Sequence, residues 1–302
     1  MPTIRLSHKY SLCVLTLTQL AVLAAVAKHG SVTGAAKELH YTQPAVSHHL
    51  ARLEAATGAK LIQRAGRGIR LTPEGHLLAA RAAEIVGRVD AAGTELAAQL
   101  GLRAGRVRMA GFQSVMSTIV PAAAAALARA HPGIELSLVD VHPVEALRLL
   151  RAGEVDLAVI FRYADTRRED DGLRLVHLLD DPLYLVTREP GQTIADHRDS
   201  PWIGGCERCQ DELLTVCRRA GVTPRITSVS DDTVVMQALV AAGMGVTMLP
   251  GLALRAHRVS GLYATELVED PRQIYAVTYG DPPDPPATTA LIRALQGGLE
   301  GA

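Results

Sequence analysis

The sequence predicts an α+β winged helix-turn-helix N-terminal domain, a long linker helix, and an α/β two-lobe domain behind it. Three observations predict this. Residues Gly30 to Glu54, GSVTGAAKELHYTQPAVSHHLARLE, read as two short helices joined by a tight turn, and a basic hairpin follows them. Leu78, Ala82, Ile85, Val89, Ala92, Leu96 and Gln99 are spaced alternately by 4 and 3, the seam of a long helix. From Arg106 onward strands alternate with helices, which implies parallel βαβ units.

At 302 residues the chain has room for two domains. Its net charge is zero, from 31 basic and 31 acidic residues, but the charge is unevenly placed. Residues 1–104 carry 12 Lys and Arg against 6 Asp and Glu, a net +6; residues 105–302 carry 19 against 25, a net −6. A basic front and an acidic back suit a nucleic-acid module joined to a sensor that stays off the polyanion.

Arg5 and Lys9 precede an apolar run, Leu12 to Ala27, that mimics a signal peptide ending in small residues. Thr16, Thr18 and Gln19 interrupt it, and its apolar residues keep helical period. It therefore reads as the first helix of the front domain, with Leu20, Leu23, Ala24 and Ala27 on its inner face, and the protein reads as cytoplasmic. No other stretch approaches the roughly 18 apolar residues of a membrane span. Residues 1–13 read as a disordered tail or an over-extended start.

The next helix runs from about Thr33 to Leu39, with Ser31 and Thr33 as candidate N-caps and Ala35, Ala36 and Leu39 facing inward. His40 and Tyr41 make the turn. Thr42 caps the following helix, and Pro44 is tolerated in its first turn, where the missing N–H costs nothing. Val46, Leu50 and Leu53 recur at i, i+4, i+7 and face the core. The opposite stripe holds Pro44, Ser47, His48, Ala51 and Arg52, with Gln43 at the exposed start. Gln pairs bidentately with adenine, Ser and His bond base edges, and Arg takes guanine or phosphate, so this helix suits the major groove of double-stranded DNA. His49 falls nearer the buried flank, as a packing or phosphate residue.

Leu61 to Arg64 and Ile69 to Leu71 read as two short strands around Ala65-Gly66-Arg67-Gly68, a basic wing. Arg64, Arg67 and Arg70 are placed to reach the DNA backbone or a narrow minor groove. A helical hairpin with a solvated polar face is the plain alternative; the order of helices, Gln-Pro start and basic wing argues for DNA.

The stretch TQPAVSHHLARLEAATGAKLIQRAGRGIRLTPEG resembles the N-terminal winged helix-turn-helix of LysR-type transcriptional regulators. Ala35-Ala36, Gln43-Pro44, Ser47, Leu53-Glu54, Gly58, Leu61, Arg64, Leu71-Thr72 and Gly75 follow that family's spacing. The family usually has Ser where this chain has Thr42, which keeps the capping hydroxyl. It often has Arg where this chain has His48, a weakly charged reader near neutral pH. The resemblance implies a DNA operator, a small-molecule effector as co-inducer with no other cofactor, and self-association into a homodimer and homotetramer. RNA polymerase is a further candidate partner.

Thr72-Pro73 opens the long helix, which runs to about Leu102. Its heptad seam must be buried somewhere, on its own domain or against a second copy. The resemblance implies the second copy, which would hold two readers at a fixed spacing on a pseudo-palindromic site.

Behind it, Val107 to Ala110, Ile134 to Val139 and Asp156 to Ile160 read as strands, with helices at about Ser114 to Ala130 and Val144 to Arg151. The pattern restarts with strands at Trp202-Ile203, Arg225 to Ser228 and Val246 to Leu249, and helices at Asp211 to Arg219 and Thr233 to Ala242. Leu183 to Val186 crosses outward and about Leu267 to Ile274 crosses back, before Gln273 to Tyr279 and a helix at Ala287 to Leu299. Two lobes with two crossings make the hinged, periplasmic-binding-protein-like cleft, whose ligands sit between the lobes. The expected domains are 14–72, the DNA-binding domain; 73–103, the linker helix; and 104–302, the effector-binding domain, with lobe 1 at 104–182 and 268–302 and lobe 2 at 183–267.

Strand C-termini and helix N-termini should line that cleft, where backbone N–H groups and helix dipoles favour anions. This selects Phe112, Gln113, Ser114 and Ser117; Asp140, Val141 and His142; and Phe161 and Arg162. In the other lobe it selects Gly204, Gly205, Cys206, Glu207 and Thr247. The resemblance implies that the first loop supplies a hydroxyl to a small carboxylate effector, and Ser114 matches. Asp140 and Glu207 would repel a simple dianion, which brings an amine-bearing or zwitterionic effector into view.

Cys206-Glu207-Arg208-Cys209 is a CxxC at a helix start, with Cys217 eight residues on. Such a position lowers a thiol's pKa and favours redox or metal chemistry. A structural zinc needs about four ligands, and no second paired set accompanies this one, so no metal site is assigned. Inert, reduced thiols are the plain reading; a thiol- or metal-responsive regulator using Cys206 and Cys209 is the alternative.

An enzyme is not expected. The sequence has no GxSxG, HExxH, GxxxxGK[ST], or GxGxxG behind a strand. A purely architectural DNA binder needs no cleft. The expected function is therefore transcription regulation, by a sequence-specific DNA binder controlled from a cleft between two α/β lobes.

Overall fold

The computed structural model describes residues 15–65, 68–99, 105–166, 172–267, 271–280 and 283–298. Cys13, Arg67 and the side chain of Arg64 lie outside them. The chain divides into two compact units, Met1–Leu102 with Arg151–Glu154, and Arg103–Leu150 with Val155–Ala302.

The first unit starts with helix α1 (Leu17–His29), held by a capping box in which Thr16 and Gln19 serve each other's backbone. Helix α2 (Val32–Glu38) is capped by Ser31, whose Oγ accepts from the Gly34 N–H at 3.0 Å. The turn to α3 (Gln43–Thr57) passes through His40, whose φ of 55° makes it the only described non-glycine residue in the left-handed region. Thr42 caps α3, and Gly58 ends it with φ 67°. Strands β1 (Ile62–Ala65) and β2 (Gly68–Leu71) pair antiparallel as the expected hairpin, and α4 (Pro73–Gln99) follows. Val22, Leu23, Val26, Ala35, Val46, Leu50, Leu53, Leu61 and Ala79 form one core.

Two expectations need correction here. Ala27 is exposed, and α1 instead buries Gln19, Leu20, Val22, Leu23, Ala25 and Val26, because α2, α3 and α4 all pack on it. A helix surrounded on several sides does not show a single stripe. The α4 seam is also divided. Ala82 is buried within the unit, whereas Ile85, Val89 and Leu96 are 43%, 47% and 62% exposed.

The second unit contains two five-stranded sheets. In the first lobe, β3 (Arg106–Gly111), α5 (Gln113–Ala130), β4 (Glu135–Asp140), α6 (Pro143–Arg151), β5 (Leu157–Arg162) and β6 (Leu173–Asp181) follow in order. The chain crosses into the second lobe with β7 (Leu183–Thr187), a 3₁₀ turn (Ile194–His197), β8 (Pro201–Gly204), α7 (Glu207–Arg219), β9 (Arg225–Val229), α8 (Thr233–Ala241), β10 (Val246–Pro250), α9 (Gly251–Ala256) and β11 (Tyr263–Glu266). It returns as β12 (Arg272–Tyr279) and α10 (Pro286–Gly297). The sheet orders are β4-β3-β5-β12-β6 and β11-β7-β10-β8-β9.

Both sheets are covered on both faces. Leu157 to Phe161 are buried throughout β5, the continuous apolar run of a doubly covered strand. Parallel pairing holds for β3 with β4 and β5, and for β8 with β9 and β10. The crossing strands run the other way: β12 is antiparallel to β5 and β6, and β7 to β10 and β11. Each lobe thus borrows an antiparallel strand from the crossover.

Candidate functional site

The surface of α3 is sorted as a reading helix requires. Val46, Leu50 and Leu53 are at most 2% exposed, while Gln43, Pro44, Ser47, His48, Ala51 and Arg52 all face outward. Thr42 is exposed too, but its Oγ accepts from the Ala45 N–H at 3.3 Å, so it serves its own helix. His49 is half-buried and stacks on Tyr41 at 5.9 Å, the packing role its flank position suggested.

Glu54 fixes the wing to this helix. Its carboxylate accepts from the backbone N–H groups of Leu61 (2.8 Å) and Ile62 (3.3 Å) and from Lys60 Nζ (2.8 Å). Burial pushes its pKa up, but the hydrogen bonds from Lys60, Leu61 and Ile62 outweigh this and hold it below the ordinary value. In the hairpin, Gln63 pairs with Arg70 and Arg64 with Ile69. Arg70 is exposed.

In the second unit a chamber of about 70 Å³ lies between the lobes, floored by Phe112, Phe161, Tyr163, Met236 and Met248. It adjoins a wider outer groove through His142, Tyr163, Gly205, Cys206 and Asp231, which line both. Helix α5 begins here with no side-chain cap; the Val115 N–H donates to the Phe112 carbonyl, which leaves those of Gln113 and Ser114 to meet a polar ligand. His142 Nε2 of the first lobe lies 3.2 Å from Asp231 Oδ2 of the second. Arg208 Nη1 of α7 donates to the Phe161 carbonyl of β5 at 2.8 Å. These contacts clasp the lobes together.

The chamber gathers Phe112, Gln113, Ser114, His142, Phe161, Gly205 and Cys206 from the expected set, and Glu207 lines the outer groove. Six expected residues, Ser117, Asp140, Val141, Arg162, Gly204 and Thr247, line neither space. Ser117 is exposed and its Oγ donates back to the Gln113 carbonyl. Asp140 ends β4, an edge strand, and is turned to solvent. Thr247 is fully buried inside the sheet and donates to the Ile203 carbonyl at 2.8 Å. Arg162 lies against the Tyr275 ring instead. Ser114 is only 6% exposed, and its Oγ accepts from Arg272 Nη2 at 2.7 Å.

Several lining residues escaped the sequence reading. Ser230 and Asp231 occupy the loop from β9 to α8 and Thr233 opens α8, positions the strand-end rule would have selected had it been applied there. Arg272 stands at the return crossing and pairs with Asp181 at the outward one, a link between residues far apart in sequence. The Arg272 guanidinium lies 5.1 Å from the Phe112 ring centroid and 4.9 Å from that of Phe161.

The CxxC pair sits at the start of α7, with Cys206 at its N-cap. The two Sγ atoms are 2.9 Å apart, within hydrogen-bond reach and unbonded. The hydrogen bond with the Cys209 thiol, opposed by burial and aided by the Cys209 backbone N–H, draws Cys206 down to about 6. Cys209 keeps its proton, pushed well up by that same bond and by burial, and receives the Tyr163 hydroxyl at 3.7 Å. Cys217 is buried in the lobe core, where desolvation lifts it to about 11. Among the described residues no group of three or more His, Cys, Asp and Glu side chains is arranged to hold a metal, and no helix is long and apolar enough to cross a membrane.

Comparison with known proteins agrees with both halves. Residues 17–76 match the family model described as bacterial regulatory helix-turn-helix protein, lysR family, and residues 100–300 match the LysR substrate binding domain. The chain is 34% identical over 248 residues to the HTH-type transcriptional regulator TfdS of Cupriavidus pinatubonensis, covering 77% of this chain and 81% of that one. It is 30% identical over 253 residues to a probable hydrogen peroxide-inducible genes activator of Mycobacterium avium, covering 79% of each. In fold it is similar to ArgP from Mycobacterium tuberculosis, with a TM-score of 0.68 at 24% identity, covering 94% of this chain and 97% of that one. Two-domain coverage and identity of this extent establish that the chain belongs to the LysR family of DNA-binding transcriptional regulators, with an effector-binding domain, and is not an enzyme.

Proposed function

We propose that Gln43, Pro44, Ser47, His48 and Arg52 read base edges in the major groove of an operator, while Arg64, Arg67 and Arg70 hold its backbone. The sorting of α3 supports this: a 15-residue helix buries Val46, Leu50 and Leu53 and turns Gln43, Ser47, His48 and Arg52 outward. The signal is a compact molecule bound between the lobes. Its polar end meets Gln113, Ser114 and the start of α5, and its apolar body lies against Phe112, Phe161, Tyr163, Met236 and Met248. Arg272 is already paired with Asp181, and the Asp231 carboxylate lies 3.2 Å from His142 Nε2, which favours a ligand with at most one charge.

The exposed half of the α4 seam supports a homodimer that presents two readers at once, with a tetramer built from it. The protein would act in the cytoplasm, where the operator lies, with no cofactor beyond its effector; contact with RNA polymerase belongs to the activating case. For a bound molecule to regulate, it must favour one lobe arrangement over another.

The experiment is footprinting of the purified protein on the DNA flanking its own gene, with and without candidate metabolites. A dyad-symmetric site whose footprint changes with one compound supports the reading. Absence of specific protection under every condition overturns it.

A further inference from the structure

We propose that Cys206 and Cys209 are a redox pair through which the cleft senses a small hydroperoxide: Cys206 is oxidised, Cys209 closes a disulfide onto it, and the bond shifts the clasp between the lobes. This rests on reading the cleft as the signal site of a DNA-binding regulator.

The placement of the two thiols carries the argument. Cys206 is the N-cap of α7 and Cys209 lies in its first turn, so one helical turn brings their Sγ atoms to 2.9 Å. A disulfide needs about 2.05 Å, a closure of less than an ångström. The two positions are also unequal. Cys206 borders both the outer groove and the inner chamber, so a solute can reach it; Cys209 borders the inner chamber alone and lies under Tyr163. The hydrogen bond from the Cys209 thiol, helped by the Cys209 backbone N–H at the helix start, favours a thiolate at Cys206, the more accessible of the two, while Cys209 retains its proton. That is the division of labour between an attacking and a resolving cysteine.

The chamber selects the oxidant. It is small and walled by Phe112, Phe161, Met236 and Met248, which suits a compact neutral molecule. The Cys206 thiolate attacks one peroxide oxygen; the O–O bond breaks, an S–O bond forms, and the released alkoxide or hydroxide takes up a proton. The product is a sulfenic acid and an alcohol or water. The Cys209 sulfur then attacks the Cys206 sulfur, the S–O bond breaks, and the departing hydroxide leaves as water with the Cys209 proton. The two thiols together lose two electrons, and the peroxide gains them.

The consequence follows from Arg208, which stands between the two cysteines in the chain. Its Nη1 donates to the Phe161 carbonyl of the opposite lobe at 2.8 Å, and Cys209 meets Tyr163 of that lobe at 3.7 Å. The turn that a disulfide would tighten is therefore the turn that holds the lobes together. Cys217, buried in the lobe core with its pKa lifted to about 11, serves as an internal control.

The test treats reduced full-length protein with hydrogen peroxide or tert-butyl hydroperoxide, and reads intact mass, peptide map and footprint on the same samples. The expected result is a loss of 2 Da as one bridge between Cys206 and Cys209, reversed by dithiothreitol, with a footprint change in the same samples. Cys209→Ser should accumulate a dimedone-reactive sulfenic acid at Cys206, and Cys206→Ser should form neither product. Alkylation of Cys206 by iodoacetamide in the Cys209→Ser/Cys217→Ser variant should outpace that of Cys209 in the Cys206→Ser/Cys217→Ser variant at pH 7 by at least about tenfold. No bridge, a bridge through Cys217 or Cys13, or a footprint identical before and after oxidation overturns the proposal. Loss of specific protection already in the reduced protein overturns the regulator reading instead, and the mass measurement still decides the thiol chemistry.

Discussion

Arg272 and Asp181 face each other on β12 and β6 and pair at 2.7 Å, 3% and 1% exposed, where the chain passes between its lobes. The pair is tied in on both sides. Arg272 also donates to Ser114 at the start of α5, and Asp181 accepts from the Leu252 N–H in α9 at 2.9 Å. It joins both crossings to the floor of the chamber, so its energetics bear on fold and on signal together.

Removing one partner leaves a buried charge uncompensated. Arg272→Met should therefore destabilise the protein by about 3–5 kcal/mol, read by urea unfolding. Arg272→Met with Asp181→Leu should recover most of that loss, since an apolar pair of similar volume avoids the desolvation of both ions. A single variant that costs less than about 1 kcal/mol would show that the pair does not lock the crossings.

Glu54 should matter to the wing in a pH-dependent way. Its folded pKa is held below its ordinary value of 4.5, so the stability it contributes is present above that value. It is lost as pH falls from there through the lowered folded value. Glu54→Ala leaves the Leu61 and Ile62 N–H groups without their acceptor and should cost about 1–3 kcal/mol at pH 7. The variant should also lose less stability than the parent between pH 5 and 3. An unchanged acid profile would show that the carboxylate does not anchor the wing.

These two sites mark what the sequence made legible. Glu54 lies in a local motif, and the helices, hairpin and caps around it follow from periodicity and capping chemistry within some 15 residues. The Arg272–Asp181 pair spans 91 positions, and nothing in local pattern announces it. The same logic explains the missed strands. β6 and β11 are edge strands, and their half-exposed residues, such as Arg174, His177, Tyr263 and Glu266, interrupt any apolar run. In the cleft the strand-end rule found Phe112, Gln113, Ser114, His142, Phe161, Gly205 and Cys206, but it selects loops and not directions. Ser117, Asp140 and Thr247 stand near strand or helix ends yet turn elsewhere, because each satisfies a bond or faces solvent outside the chamber.

Base readout and backbone holding should separate by substitution. Gln43→Ala should cost about 1–3 kcal/mol at one base pair and relax preference there. Arg67→Ala should weaken all sequences alike and lower the salt dependence by about one charge. Affinities for the operator and for random DNA, measured across a salt series, check both. Equal loss on the two DNAs for Gln43→Ala would remove Gln43 from the base readers.

The exposed seam of α4 gives the sharpest test of assembly. Val89 and Leu96 are 47% and 62% exposed in the single chain, so a charge at either position should hardly disturb the monomer's own packing. Against a second copy, the same side chains would bury apolar surface worth about 1.5–3 kcal/mol each. Val89→Glu with Leu96→Glu should then weaken self-association at least about tenfold, read by sedimentation, while leaving the helical content and urea midpoint of the monomer intact. Binding to a two-half-site operator should fall with it, and binding to one half-site should not, because only the paired readers share the cost of docking. Undiminished self-association would mean that the seam is not the dimer contact and that the copies meet through another surface.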